Sequence, residues 1–167
     1  TYFVFDPYDS PRTLTSEINN NRLWIGGSPH DINVFEINAP GVLNRIATGI
    51  NYTSSLATRS IVFDGDIAVH TNGNLLINDA STGVELGRIT RIDGGVITAS
   101  NGYAYTGSTS EFIVYDISDP RNISESLREV RPTAGSPLAY GAKGNLLFAL
   151  LYSPDGGAFQ IFDISQS

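Results

Sequence analysis

Ile113-Val114-Tyr115-Asp116-Ile117-Ser118-Asp119-Pro120 is the stretch on which the fold turns. An apolar run of β-branched and aromatic residues meets an aspartate, and a Ser/Asp/Pro cluster follows at once. That is the pattern of a strand running into a tight turn. Three other runs end the same way: Val34-Phe35-Glu36, Leu76-Ile77-Asn78 and Ile161-Phe162-Asp163. Their end residues, at 36, 78, 116 and 163, recur at steps of 42, 38 and 47. Upstream of each lies a second strand-like run: Leu23-Trp24-Ile25, Ile67-Ala68-Val69, Tyr103-Ala104-Tyr105 and Leu147-Phe148-Ala149. A hairpin signal precedes each of these, at Asn19-Asn20-Asn21, Asp64-Gly65-Asp66, Asn101-Gly102 and Gly144-Asn145. Asn, Asp and Gly tolerate the positive φ that two-residue hairpins require. Shorter runs come before the hairpins (13–18, 60–63, 95–99 and 138–142), and weaker amphipathic runs follow the third strands (42–46, 84–89 and 123–130). No segment keeps an apolar 3.6-residue period beyond two turns, so helix is not expected. The repeating unit is a four-stranded antiparallel meander.

Tandem meanders with a period of ~40–50 residues read as the blades of a β-propeller. The expectation is an all-β chain of about four blades, at 12–48, 54–90, 94–131 and 136–165. The fourth unit has only three strand-like runs, while a spare run, Tyr2-Phe3-Val4-Phe5, sits at the other end. Residues 2–6 would then complete the last blade and close the ring. Phe5-Asp6-Pro7, however, also resembles an acid-ended third strand, which would make the chain a piece of a larger propeller. Both readings stay open.

Two stretches resemble known repeat families. Leu75-Leu76-Ile77-Asn78-Asp79-Ala80-Ser81-Thr82-Gly83 is similar to the third strand and turn of PQQ-like (YVTN-type) propeller repeats. Residues 113–120, and the start of the corresponding stretch at 161–165, resemble LVIVD-type repeats. The resemblance implies a propeller fold. It implies little about function, because such repeats serve dehydrogenases, surface proteins and binding scaffolds alike. Trp24 is the single Trp, so the tryptophan-docking pattern of quinoprotein dehydrogenases is absent, and the WD40 pattern is absent too.

Composition narrows the chemistry. The 167 residues include 17 Asp+Glu against 10 Lys+Arg, a net charge of −7 that opposes nucleic-acid binding. With no Cys there is no thiol nucleophile and no thiolate metal site. No apolar run approaches the ~20 residues of a spanning helix, so membrane insertion is not expected. Thr1 in place of Met reads as a processed leader or a cut piece, and among compartments the extracellular side is favoured. Asp64-Gly65-Asp66 and Asp155-Gly156-Gly157 lack the alternating ligands of a calcium loop, and no Gly-rich phosphate cradle occurs. No metal and no cofactor are expected. Asp79, Asp116 and Asp163 are assigned a structural task, accepting hydrogen bonds from the turns that follow them.

Ligands of propellers gather where loops of several blades converge on the axis. In this repeat those are the loops entering each first strand and those joining second and third strands. They carry the candidate binding residues Arg12, His30, Asp31, Tyr52, Arg59, Asp93 and Arg131. His30 has Asp31 beside it to orient an imidazole, whereas His70 alternates with Ala68 in a strand and is expected to pack. Arg12, Arg59 and Asp93 lie nearest the innermost strands, where opposite charges would either pair to plug the channel or orient a polar ligand. The functional expectation is a non-catalytic recognition or structural module that binds a protein or glycan, alone or within a larger assembly. The alternative is a propeller-type hydrolase or lyase with a carboxylate/Arg site at one mouth of the channel.

Overall fold

The computed structural model describes residues 15–26, 32–47, 60–92, 95–130, 135–153 and 156–165. All regular structure among them is strand. The first sheet holds β1 (Thr15–Asn19), β2 (Arg22–Gly26), β3 (Ile32–Ala39) and β4 (Val42–Ala47). The second holds β5 (Ser60–Asp64), β6 (Ile67–Thr71), β7 (Asn74–Asp79) and β8 (Glu85–Thr90). In the third are β9 (Thr98–Ser100), β10 (Tyr103–Gly107), β11 (Glu111–Asp116) and β12 (Ser124–Val130). The fourth has three strands, β13 (Ser136–Lys143), β14 (Leu146–Ser153) and β15 (Gly156–Asp163). Every sheet is an antiparallel meander in chain order, and β1, β5, β9 and β13 lie side by side as the innermost strands. This is a β-propeller, with the sheets as its blades. The proposed closing strand at 2–6 lies outside the described residues.

The hairpin signals take the predicted geometry. Asn20 and Asn21 have φ of 47° and 59°, and Asn101 and Gly102 have 56° and 80°, so both central residues of each turn are left-handed. Gly65 and Gly144 take positive φ at the first central position only. The third strands β7, β11 and β15 end on Asx-type turns, whereas β3 runs past Glu36, which pairs with Arg22, and ends at Ala39. Asp79 Oδ1 accepts from the backbone N–H and hydroxyl of both Ser81 and Thr82, at 2.7–3.0 Å. Asp116 does the same for Ser118, and Asp163 accepts from the Ser165 N–H.

Two first strands depart from expectation. β9 begins at Thr98, not at Gly95, because side chains capture the carbonyls before it. Thr71 Oγ1 donates to Gly95 O, Thr106 Oγ1 to Val96 O and Ser60 Oγ to Ile97 O. β13 instead starts early, at Ser136, and absorbs Pro137 with a register shift between Pro137 and Ala139.

The core sits between blades. Trp24, Ile32 and Val34 of the first blade pack on Ile61, Ala68 and Leu76 of the second. Val69, Leu75 and Ile77 then meet Ala104, Ile113 and Tyr115 of the third. Tyr105, Phe112 and Val114 meet Leu147 of the fourth, with the Phe112 and Phe162 rings stacked at 5.2 Å. Alternation along each strand supplies both faces, and each fully buried Leu, Ile or Val contributes about 1.5–3 kcal/mol.

Candidate functional site

Blades one and two meet in a polar cleft of about 350 Å³. It is built from turns and the strand ends beside them, at one end of the blades. The β1–β2 hairpin supplies Asn19 and Asn20, with Arg22 opening β2; the β5–β6 hairpin supplies Asp66; and the β7–β8 turn supplies Asp79, Ala80 and Ser81. First-to-second and third-to-fourth connections fall at the same end of a meander, which is why these segments converge.

Hydrogen bonds tie the walls together. Asn19 Nδ2 donates to Gly65 O at 3.2 Å, and the Ala80 N–H donates to Asp66 O at 2.9 Å. Beneath the cleft the buried Trp24 indole N–H reaches Ala80 O across the blade junction. Arg22 pairs with Glu36 at 3.0 Å on its own sheet. The Asp79 carboxyl is held below the usual carboxylate range, chiefly by the Ser81 hydroxyl and then by Thr82. It is therefore an ionised acceptor near neutral pH and a poor source of protons. The cleft thus offers amide donors and acceptors, two carboxylates and a hydroxyl, a set suited to hydroxyl or amide groups.

His70 is fully buried on the side of its blade that faces the first blade. Its Nε2 lies 2.7 Å from Asn78 Oδ1, and Asn78 Nδ2 donates to Gly83 O. Burial pushes its pKa down to about 4. The expectation that it packs holds. Asp64, half of a possible metal loop, binds the next blade instead: its Oδ1 and Oδ2 accept the N–H groups of Asn101 and Gly102 at 3.2 and 2.6 Å. Among the described residues, no three His, Cys, Asp or Glu side chains gather as metal ligands.

The seven candidates Arg12, His30, Asp31, Tyr52, Arg59, Asp93 and Arg131 all lie outside the described residues. Of their described neighbours, Arg91 is exposed at φ 61°, its N–H bound to Asn74 Oδ1. The cleft residues, by contrast, belong to the opposite ends of the strands. Sequence reasoning passed them over because it treated each turn as self-sufficient. The available signal was strand parity, which places Asn19-Asn20-Asn21 and the Asp79–Gly83 turn at one end.

Among solved structures, the computationally designed Ika4 protein has a TM-score of 0.71 at 16% identity, over 92% of both chains. BamB from Moraxella catarrhalis gives 0.66 at 15% identity, over 92% of this chain but only 44% of BamB. A chain in the S. cerevisiae complex of Dbp5 bound to Nup159 and Gle1 gives 0.61 at 8% identity, over 89% of this chain and 44% of that one. The chain thus spans nearly all of the designed protein and under half of the two natural ones. No family model matches the sequence, and no curated protein matches it. The shared feature is the β-propeller fold.

Proposed function

We propose that the chain is a non-catalytic recognition or structural module that binds a protein or glycan partner through polar turns at a blade junction. The observation that carries this reading is how Asp79 is used. This carboxylate, one of two that line the cleft, accepts four short hydrogen bonds from its own turn and stays ionised, which suits an acceptor in recognition and disfavours a general acid. Asp64 and His70 are likewise committed to holding turns and blades together. A chain of similar fold in the structure of S. cerevisiae Dbp5 bound to Nup159 and Gle1 adds support by fold-level analogy only.

The test is to screen the purified chain on glycan and peptide arrays, with generic glycosidase, esterase and lyase substrates alongside. Retention of a ligand without turnover, lost on Asp66→Ala or Asn20→Ala, is the expected result. Turnover of any substrate above the buffer rate would favour the enzyme reading and overturn this one.

A further inference from the structure

One hydrogen bond recurs in every blade of the arc. The residue that follows Glu36, Asp79, Asp116 or Asp163 donates its N–H to the hairpin between the first two strands of its own blade. The four bonds are Ile37 to Asn21 O, Ala80 to Asp66 O, Ile117 to Gly102 O and Ile164 to Asn145 O, at 2.8–2.9 Å. They make the four donors equivalent positions, three of them Ile and one Ala. Ile117 packs into the junction with the second blade, and Ile164 into the junction with the third. Each thus lies on the backward face of its blade, toward its predecessor, and fills that end of the junction. Ala80 holds the same place between the first two blades and is too short to fill it. The Trp24 indole, on the forward face of the first blade, reaches the Ala80 carbonyl, and the cleft of about 350 Å³ opens beside that contact. A second departure accompanies the first. Asp66 stands where the other hairpins have Asn21, Gly102 and Asn145, so among the four hairpins this position carries a carboxylate only at the cleft.

Charge and hydrogen-bond capacity then select an occupant. Arg22 is neutralised by Glu36. Asp66 and Asp79 have no Lys or Arg partner among the described residues. Two donors are already used: Asn19 Nδ2 on Gly65 O, and the Ser81 hydroxyl on Asp79 Oδ1. Asp79 Oδ1 takes all four bonds of its turn, which leaves Oδ2. What the cleft presents is mostly acceptor oxygen with a net negative charge. Lys and Arg side chains carry several donors, no acceptor and a positive charge. No aromatic ring lines the cleft and Trp24 is fully buried, so a sugar finds no ring face to stack on. Nor do three acidic or imidazole side chains gather there among the described residues, so a bare divalent cation would be under-liganded. We propose that the cleft receives a Lys or Arg side chain presented by a protein partner. This rests on the recognition reading and narrows it to one ligand chemistry.

The experiment is an amide-resolved NMR titration of the labelled 167-residue chain with four probes. These are the capped tripeptides acetyl-Gly-Arg-Gly-amide and acetyl-Gly-Lys-Gly-amide, the citrulline analogue of the first, and maltotetraose. The Arg and Lys peptides should shift the amides of Asn20, Asp66 and Ser81 to saturation. Citrulline keeps the shape without the charge and should bind about tenfold more weakly or worse, as should the Arg peptide to Asp66→Asn. Binding should also weaken several-fold between about 0.1 M and 1 M salt, as the screening length falls from ~10 to ~3 Å. Ala80→Ile gives the second blade the residue of the other three and should abolish the shifts in a folded chain; if it does not fold, Asp66→Asn decides alone. Cleft amides silent toward both charged peptides, equal binding of the citrulline peptide, or parent-like binding by Asp66→Asn overturns the proposal. Shifts with maltotetraose and not with the charged peptides overturn it too and leave the recognition reading standing. That reading falls to turnover in the substrate screen.

Discussion

His70 shows how burial converts a titratable group into a packing element. The ring is fully buried, and its pKa falls from 6.5 to about 4, because burial outweighs the Asn78 hydrogen bond and the nearby Glu85 charge. In the unfolded chain the same ring takes up a proton near its ordinary value. From about pH 6.5 down to about 4 the unfolded state therefore holds the extra proton, and stability falls as pH falls. The loss reaches on the order of 3 kcal/mol at the lower end. Melting temperature should decline across that window in the parent chain and decline much less in His70→Gln. A parent profile as flat as the variant's would show that the ring is not buried in its neutral form. The turn carboxylates act in a separate window. Asp79, Asp116 and Asp163 are all held below their ordinary values by neighbouring Ser or Thr groups. What they contribute is complete above the ordinary carboxylate value and lost only as pH falls through their depressed ones. For such exposed groups the contribution is small, because water replaces each lost partner.

Blade junctions depend on close backbone approach as much as on apolar side chains. Gly87 of β8 sits against the β11–β12 turn, and a Cβ placed there would lie 1.8 Å from the Pro120 carbonyl oxygen. Since that obstacle is backbone, Gly87→Ala must shift a strand or a turn. We expect a loss of roughly 1–3 kcal/mol in urea unfolding, as for other overpacked sites. An unchanged midpoint at unchanged slope would show that the second and third blades are not packed this way. The elements themselves were legible in the sequence, because acid-ended third strands and Asn/Gly hairpins are local signals. Asp116 and Asp163 announce their turns within two residues, and Asn101-Gly102 announces its own. The start of β9 was not legible. Whether Gly95, Val96 and Ile97 join a ladder depends on hydroxyls from Thr71, Thr106 and Ser60, which folding brings in from elsewhere. The cleft was hidden for the same reason, since Asn19 and Asp79 become neighbours only after two blades pack. Gly87 taken alone is a strand-weakening residue, and its use appears only when Pro120 is placed beside it.

At the scale of the whole molecule, stability comes from a row of interlocking junctions, each of which draws on alternate residues of the same strands. Such an arc is a one-dimensional stack, in which each blade relies on its immediate neighbours. The forward face of its fourth blade carries the same apolar chemistry as the interior junctions. All of this rests on blades stacking face to face in chain order. The most direct test is a nuclear Overhauser experiment on selectively labelled aromatic rings. Stacking in chain order predicts cross-peaks between Trp24 and Phe63, whose ring centroids are 5.8 Å apart, and between Phe112 and Phe162, at 5.2 Å. Each pair bridges successive blades. If both cross-peaks are missing from a folded sample, or Trp24 contacts Phe162 in place of Phe63, that order of the blades is contradicted.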